Sequence, residues 1–104
     1  MVSVCMATYN GAQYLRAQID SILPQLNDDD EIIVSDDGST DNTRSVIESY
    51  ADKRIKFILN VGNKGCISNF ENSIKASRGS IVFLCDQDDV WAPNKVQLMK
   101  EALT

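Results

Sequence analysis

Hydrophobic residues in this chain follow two patterns, short continuous runs and longer stretches with helical spacing. Continuous runs occupy residues 2–6, 32–34 and 81–85. Such runs are typical of strands buried on both faces of a parallel sheet, and we expect the third, the most apolar, to be the most buried. Between the first two runs lies an amphipathic stripe formed by Leu15, Ile19, Ile22, Leu23 and Leu26. This spacing predicts a helix that ends near Pro24.

Three further helices are predicted from apolar residues spaced three and four positions apart. These residues are Val46, Ile47 and Tyr50 in the second helix, Ile67, Phe70 and Ile74 in the third, and Val96, Met99 and Leu103 on the inner face of the last. Thr40 or Asp41 is expected to cap the second helix. Gly79 is expected at the C′ position of the third, and Pro93 at the start of the last.

The order of elements predicts an α/β fold. Residues 53–59 alternate enough for a third strand at an edge of the sheet, and a Gly/Asn loop follows over residues 60–65. Strands and helices then alternate four times, which favours right-handed crossovers, a mostly parallel sheet and three α/β/α layers. In the strand order 3-2-1-4, the ends of strands 2, 1 and 4 line one crevice, where such sheets bind ligands.

Composition narrows the functional classes. A chain of 104 residues fits one domain, and a net charge of -5 disfavours nucleic acid as a partner. The chain has no His and three widely spaced cysteines, which argues against zinc–thiolate sites and Cys–His or Ser–His catalysis. Cys5 and Cys85 lie in apolar runs, as reduced cysteines do, and no leader or 18-residue apolar stretch occurs. We therefore expect a cytoplasmic protein.

The sharpest chemical signal is the acidic cluster Asp86-Gln87-Asp88-Asp89, which follows the third apolar run. Crowded carboxylates repel one another unless a cation lies between them, and hard cations such as Mg²⁺ and Mn²⁺ prefer oxygen ligands. Such a cation could bridge to a nucleotide diphosphate. The alternative is a turn whose carboxylates cap the last helix, but three Asp in four residues exceed what capping requires.

Two other polar segments follow strands. Asp36-Asp37-Gly38-Ser39 is a strand-to-helix turn, with Gly38 at positive φ and Ser39 as cap, and this interpretation is preferred for Asp36. For Asp37, accepting a hydrogen bond from a uracil-like imide or a ribose hydroxyl is equally favoured. The segment 8–11 (TYNG) could place a Tyr ring against a nucleobase. Trp91 is expected to pack against the last helix.

Taken together, three segments resemble the family 2 glycosyltransferases of the GT-A fold. They are residues 4–11 (VCMATYNG), 33–41 (IVSDDGSTD) and 83–91 (FLCDQDDVW), with Pro93 and Lys95 following. The resemblance covers essentially the whole chain and is strongest to bacterial rhamnosyl- and galactosyl-type enzymes of surface polysaccharide synthesis. It implies the Rossmann-like, nucleotide-sugar-binding part of a GT-A domain over residues 1–104.

The resemblance also implies roles for individual residues. Asp37 would contact the base, while Thr8 and Tyr9 would line the nucleotide pocket. The "DxD" motif would be Asp86 to Asp88. Gly65 and Asn69 match a looser family pattern near the sugar.

Within the DxD motif, the resemblance makes Asp88 the direct ligand of a divalent metal, Mn or Mg. Asp86 would reach the ribose or sugar, and Asp89 could share the metal. The implied reaction transfers a sugar from a UDP- or dTDP-type donor to a saccharide or lipid-linked acceptor, with inversion. In a full-length protein this could occur at the inner face of the cell membrane.

One departure from the family affects the activity expected of this chain. In the family the general base and acceptor site lie beyond the metal motif, so the base is expected beyond Thr104 and no residue here is assigned to it. The chain is expected to bind nucleotide and metal weakly and to transfer little sugar. An exposed apolar face would favour self-association into homo-oligomers.

Two other functions compete with this interpretation. A flavodoxin-like phospho-acceptor regulator also binds Mg²⁺ at strand ends, but it would need an acidic pair after the first strand, where this chain has Thr8-Tyr9-Asn10. An Asp-nucleophile phosphatase would need Asp-x-Asp-Gly-Thr at that same place. The remaining alternative is a non-catalytic binding module with inert Asp clusters.

Overall fold

The computed structural model describes residues 1–85 and 90–103, in which parallel strands alternate with helices. The strands are β1 (Val2–Thr8), β2 (Glu31–Asp36), β3 (Ile55–Leu59) and β4 (Ile81–Cys85). The helices are α1 (Ala12–Ile22), α2 (Thr43–Ser49), α3 (Cys66–Ala76) and α4 (Lys95–Leu103), and a 3-10 turn (Leu23–Gln25) follows α1. The described helices include none with the length and apolar character needed to cross a membrane.

The four strands form one parallel sheet in the order β3-β2-β1-β4. The predicted α/β class and the strand order 3-2-1-4 are therefore confirmed. Thr8 is aligned with Asp36, which is aligned with Leu59, and Met6 is aligned with Cys85. All four carboxyl ends consequently lie at the same edge of the sheet, which we call the carboxyl edge.

One face of the sheet carries the main apolar core. The stripe predicted for α1 is confirmed, because Leu15, Ile19 and Ile22 are fully buried in this core. Burying a side chain of this type contributes about 1.5–3 kcal/mol. The helix ends at Ile22, and Pro24 lies in the 3-10 turn that follows. Ordinary hydrophobic packing thus stabilises this face of the sheet, and Phe83, Trp91 and Val96 from the C-terminal part of the chain contribute to it.

The opposite face is covered by α3, and here the predicted stripe is wrong. Ile67 is 78% exposed, Ile74 is also exposed and Phe70 is half-buried, whereas Asn69 and Ser73 are buried. The reason is the polar surface beneath the helix, where Ser35 of β2 donates a 2.6 Å hydrogen bond to Asn69 Oδ1. A helix packed on such a surface turns polar side chains inward, because buried polar groups need partners.

The C-terminal elements also depart from the predictions. Leu84 of β4 is 55% exposed and Val82 is exposed as well, so β4 is not the most buried strand. It is an edge strand, and α3 packs mainly on β1 and β2. In α4, Val96 is buried as predicted, but Met99 and Leu103 are exposed rather than inward.

The remaining predictions concern Pro93, Trp91 and the cysteines. Helix α4 begins at Lys95, two residues after Pro93. Trp91 is buried, and the Lys95 ammonium at the start of α4 lies 4.5 Å from its ring centroid, in agreement with the predicted packing. Cys5 and Cys85 are buried. Burial raises the pKa of the Cys5 thiol, as expected for an inert cysteine.

Gly79 is not at the C′ position of α3, which ends at Ala76 with Ser77 as its C-cap. A Cβ atom at Gly79 would lie 2.7 Å from the backbone N of Ser3 and 2.9 Å from the carbonyl O of Met1. Glycine is required there because the chain passes close to the start of β1.

At the amino-terminal edge of the sheet, the buried carboxylate of Glu31 joins several elements. It accepts hydrogen bonds from Ser3 Oγ at 2.6 Å, from the Arg78 backbone N–H at 2.7 Å and from Lys56 Nζ at 3.0 Å. Burial alone would raise the pKa of Glu31, but these hydrogen bonds outweigh it and hold that pKa below its usual value. Glu31 is therefore a charged structural anchor between β1, β2, β3 and the turn before β4.

Candidate functional site

The loops after β1 and β2 meet at the carboxyl edge, as the topology predicted. The Asp37 backbone N–H donates to Thr8 O at 3.0 Å. The Asn10 side-chain oxygen accepts a 2.8 Å hydrogen bond from the Thr40 N–H, and the Asn10 N–H donates to Ser39 Oγ at 2.8 Å. Asn10 has a φ of 52°, a conformation that Asn tolerates better than most residues. The two loops form one hydrogen-bonded surface.

Asp36 serves the turn, in agreement with the preferred interpretation. One carboxylate oxygen accepts from Thr8 Oγ1 at 2.7 Å and Ser39 Oγ at 2.6 Å, and the other accepts from the Ser39 N–H at 2.7 Å. Gly38 has the expected positive φ, 88°. Ser39 does not cap α2, and the prediction that Thr40 or Asp41 caps it is also wrong: the N-cap position is Asn42, which makes no side-chain capping hydrogen bond. Asp41 accepts the N–H of Thr43, the first helical residue, at 3.0 Å. Asp36 therefore offers its oxygens to the protein itself.

Asp37 lies beneath the loop that follows β3. It is 8% exposed, and its two carboxylate oxygens accept from different parts of that loop. Asn60 Nδ2 donates to Oδ1 at 3.0 Å, and the Gly65 backbone N–H donates to Oδ2 at 2.9 Å. The Gly65 hydrogen bond is the main cause that lowers the pKa of Asp37, with Asn60 and nearby Lys64 adding to it against the opposing effect of burial. Asp37 is thus an ionised, oriented acceptor.

Lys64 completes the contacts between this loop and the turn after β2. Its Nζ donates to the Asp37 carbonyl oxygen at 2.8 Å. A Cβ atom at Gly38 would lie 2.7 Å from that Nζ, so the glycine leaves room for the Lys side chain. Sequence reasoning assigned no role to Lys64 or Asn60. The rule that identified Asp37 would have found Asn60, since it too directly follows a strand at the carboxyl edge.

Two of the other predicted nucleotide and sugar residues, Thr8 and Gly65, contact Asp37 directly. Thr8 is buried at the end of β1, and its carbonyl accepts from both the Asp37 N–H and Asn69 Nδ2, the latter at 3.2 Å. Tyr9, next along the chain, is 53% exposed, which leaves ring surface accessible to a ligand. Gly65 has a φ of 126° and turns its N–H toward Asp37. The Asn69 side chain hydrogen-bonds to Thr8 and Ser35, and its role near a sugar stays a prediction.

The predicted metal ligands Asp86, Asp88 and Asp89 lie outside the described residues. Strand β4 ends at Cys85, at the same edge as Thr8 and Asp37. Within residues 1–85 and 90–103, no three His, Cys, Asp or Glu side chains are grouped closely enough to hold a metal. The assignment of a metal site therefore depends on the chemistry of the Asp-Gln-Asp-Asp segment, which supplies the hard oxygen donors that Mg²⁺ and Mn²⁺ take.

Comparison with known proteins identifies relatives of the whole chain. The model of the family "Glycosyl transferase family 2" matches residues 3–104. A glycosyltransferase from Nostoc is 42% identical over 96% of the chain, and the Escherichia coli protein WfgD, a UDP-Glc:alpha-D-GlcNAc-diphosphoundecaprenol beta-1,3-glucosyltransferase, is 35% identical over 94%. The chain spans 32% and 39% of these two proteins, respectively.

Solved structures agree with this relationship. Residues 1–349 of Staphylococcus aureus TarS in complex with UDP superpose with a TM-score of 0.86 and 26% identity, over 96% of this chain and 31% of that one. Glucosyl-3-phosphoglycerate synthase from Mycobacterium tuberculosis, with Mn²⁺, UDP and glucosyl-3-phosphoglycerate, gives 0.83 and 27%, over 99% of this chain and 39% of that one.

Proposed function

Since the chain belongs to glycosyltransferase family 2, we propose that it forms the donor-binding part of an enzyme that transfers a sugar from a nucleoside diphosphate to an acceptor hydroxyl. Its fold is the Rossmann-like part of a GT-A domain, with four parallel strands in the order 3-2-1-4. The chain spans about a third of the relatives described above, so the complete reaction is proposed for the longer protein.

The observation that carries this proposal is the state of Asp37. Its carboxylate is charged, is held from two sides, and stands at the carboxyl edge beside Thr8, the residue that precedes Tyr9. An ionised carboxylate only accepts hydrogen bonds, and each of its oxygens has a second lone pair. It therefore suits the imide N–H of uracil or thymine, which supports a UDP- or dTDP-type donor. Two of the structural relatives were crystallised with UDP.

A divalent cation, Mn or Mg, is proposed as the cofactor. We propose Asp88 as its direct ligand, with Asp86 and Asp89 supplying further oxygens or reaching the ribose and sugar. When bound, the cation would neutralise the pyrophosphate and stabilise the negative charge of the leaving nucleoside diphosphate. The protein would bind the base through Asp37 and supply carboxylate oxygens as hard ligands for the cation. Gly65 and Asn69 are proposed to lie on the sugar side.

We further propose an acceptor class and a stereochemical course for the reaction. WfgD acts on a diphosphoundecaprenol-linked sugar, which supports a saccharide or lipid-linked saccharide acceptor and a role in cell-surface polysaccharide synthesis at the membrane. We propose that transfer occurs with inversion, which needs a general base on the sugar face opposite the leaving group. No residue of this chain is assigned as that base.

Calorimetry with UDP, dTDP and CDP, each with and without MnCl₂, tests the donor site. We expect metal-dependent heat with UDP or dTDP. Asp37→Asn should weaken this binding about tenfold or more, because a lost hydrogen bond to a charged group costs about 1.5–3 kcal/mol. The matched control is Asp29→Asn, which removes the same charge from an exposed loop before β2, at the other edge of the sheet. Its affinity should equal that of the wild type.

Other outcomes would contradict the proposal in different ways. Heat from the metal alone, unaffected by nucleotide, would favour a phospho-acceptor regulator. Absence of heat with every nucleotide would favour an inert module. Equal losses in the Asp37 and Asp29 variants would show that net charge, rather than the Asp37 contact, governs binding.

A further inference from the structure

The loop between β3 and α3, residues 60–65, surrounds Asp37 on the side away from β1. We propose that Asn60 is a positioning residue that orients the Asp37 carboxylate and thereby determines which nucleobase the donor site accepts. The proposal rests on the donor-binding function proposed above, which it extends to base selectivity.

The Asn60 side chain has a defined orientation. Its backbone N–H donates to Asp36 O at 2.8 Å, which continues the sheet pairing beyond the end of β3. Its Oδ1 accepts the Gly62 N–H at 3.3 Å, while its Nδ2 donates to both Asn63 O at 3.1 Å and Asp37 Oδ1 at 3.0 Å. Because the oxygen faces a donor and the nitrogen faces two acceptors, the reversed amide would break all three contacts. Asn60 can therefore act only as a donor to Asp37.

Asp37 is consequently held at three points. Asn60 binds one carboxylate oxygen, the Gly65 N–H binds the other, and Lys64 Nζ binds the carbonyl of the same residue. Two donors on different oxygens fix the rotation of the carboxylate plane, which a single donor would leave free. Removing Asn60 would leave Oδ1 without this donor and allow the carboxylate to rotate about the Gly65 contact.

The orientation matters because bases differ in what they present to a fixed acceptor. Uracil and thymine present an N–H between two carbonyls, whereas the corresponding ring nitrogen of cytosine carries a lone pair. The lone pair of cytosine would be repelled by the Asp37 carboxylate, and the carboxylate would gain no donor from that base, which costs affinity. A rigid, ionised Asp37 therefore selects uracil-type bases, and a carboxylate that rotates freely selects them less well.

Calorimetry with UDP and CDP in the presence of MnCl₂ tests this inference on the 104-residue chain. Asn60→Ala should weaken UDP binding several-fold, less than the roughly tenfold loss expected of Asp37→Asn, because Asp37 keeps its carboxylate and loses only its fixed orientation, and it should leave CDP binding nearly unchanged. The ratio of the two affinities then falls by the same factor. Asn63→Ala is the matched control: it truncates the same residue type in the same loop but keeps the carbonyl that accepts from Asn60. Its ratio should match that of the wild type.

A second pair of variants covers loss of folding. Asn60→Asp keeps the shape of the side chain and removes its donor, and Asn63→Asp adds the same charge three residues away. Circular dichroism establishes which variants are folded. We expect Asn60→Asp to lower the UDP-to-CDP ratio at least as much as Asn60→Ala does, and Asn63→Asp to leave it unchanged.

Carbon-detected NMR titration of the Asp37 carboxyl, without nucleotide, provides an independent measurement. The pKa of Asp37 should rise in Asn60→Ala and stay at the wild-type value in Asn63→Ala. A folded Asn60 variant with an unchanged base ratio would overturn the proposed role in base selection, whatever its Asp37 pKa. If the Asp37 pKa were unchanged as well, the positioning contact itself would be overturned, and in both cases the donor function would remain intact. A wild-type chain that binds no nucleotide would overturn the donor function and base selection together, whatever the titration shows.

Discussion

Replacing Glu31 by Gln should destabilise the chain by about 2 kcal/mol at neutral pH. The carboxylate, 2% exposed in the native state, receives its Ser3 and Arg78 N–H hydrogen bonds on the same oxygen, which Gln can retain. These two bonds change from charge-assisted to neutral, and each such change costs about 1 kcal/mol. The Lys56 and Arg78 side chains are 42% and 68% exposed and can regain water, but the buried Gln NH₂ that replaces the second oxygen would face both cations without an acceptor, so about 2 kcal/mol is a lower bound.

Urea denaturation and thermal unfolding measure this effect. For a domain of this size, about 2 kcal/mol corresponds to a fall in Tm of about 10 °C. Glu48→Gln is the control, because Glu48 forms an exposed ion pair with Arg44 that should contribute about 0.3–0.5 kcal/mol. A Glu31 variant within about 0.5 kcal/mol of this control would refute the reasoning.

The pH dependence gives a separate check of sign. The pKa of Glu31 is lower in the folded chain than its usual value, so its charge stabilises the fold above the usual pKa of Glu, about 4.3. This contribution is lost as the pH falls through the folded pKa. The stability difference between wild type and Glu31→Gln should therefore be constant near pH 7 and shrink in acid. A difference that grows below about pH 4 would show that Glu31 is not stabilised as a carboxylate.

Two further predictions concern packing and ionisation elsewhere. Gly79→Ala should destabilise the fold by about 2 kcal/mol or more in urea denaturation, because its Cβ would lie 2.7 Å from the Ser3 backbone N. A Cβ at Gly62 would have no atom nearer than 3.6 Å, so Gly62→Ala should destabilise the fold far less. Equal effects of the two substitutions would contradict this prediction. Burial and the hydrogen bond to Asp20 raise the pKa of Tyr50 to about 12, so Tyr50→Phe should remove tyrosinate absorbance that appears above about pH 11. A loss of absorbance that is already complete below that pH would show that Tyr50 ionises earlier.

Sequence patterns predicted the sheet because its determinants are local or topological. The apolar runs at 2–6 and 32–34 belong to β1 and β2, which are buried along their whole length. Alternation with helices then leaves few arrangements, since crossovers between parallel strands are right-handed. The same reasoning placed Thr8 and Asp37 side by side, as their 3.0 Å backbone hydrogen bond confirms.

Features that depend on distant partners could not be predicted in this way. The inner face of α3 is polar because Ser35 lies beneath Asn69, and the two are 34 positions apart in the chain. Helical periodicity detects apolar stripes, so it selected Ile67 and Ile74 instead. Likewise, the apolar composition of β4 predicted a buried strand. The exposure of Leu84 depends instead on the packing of α3, which lies mainly on β1 and β2.

The polar contact between α3 and the sheet has a consequence for ligand geometry. Dispersion between apolar side chains has no preferred direction, whereas the Asn69 amide contacts Thr8 and Ser35 only when the helix lies at one position along the strands. The first turn of α3 directly follows the loop that carries Gly65, so the position of the helix along the strands also fixes the position of the Gly65 amide. Substituting leucine for Asn69 could bury more hydrocarbon and still misalign the Gly65 amide, so we expect thermostability and the proposed nucleotide affinity to respond separately to this substitution.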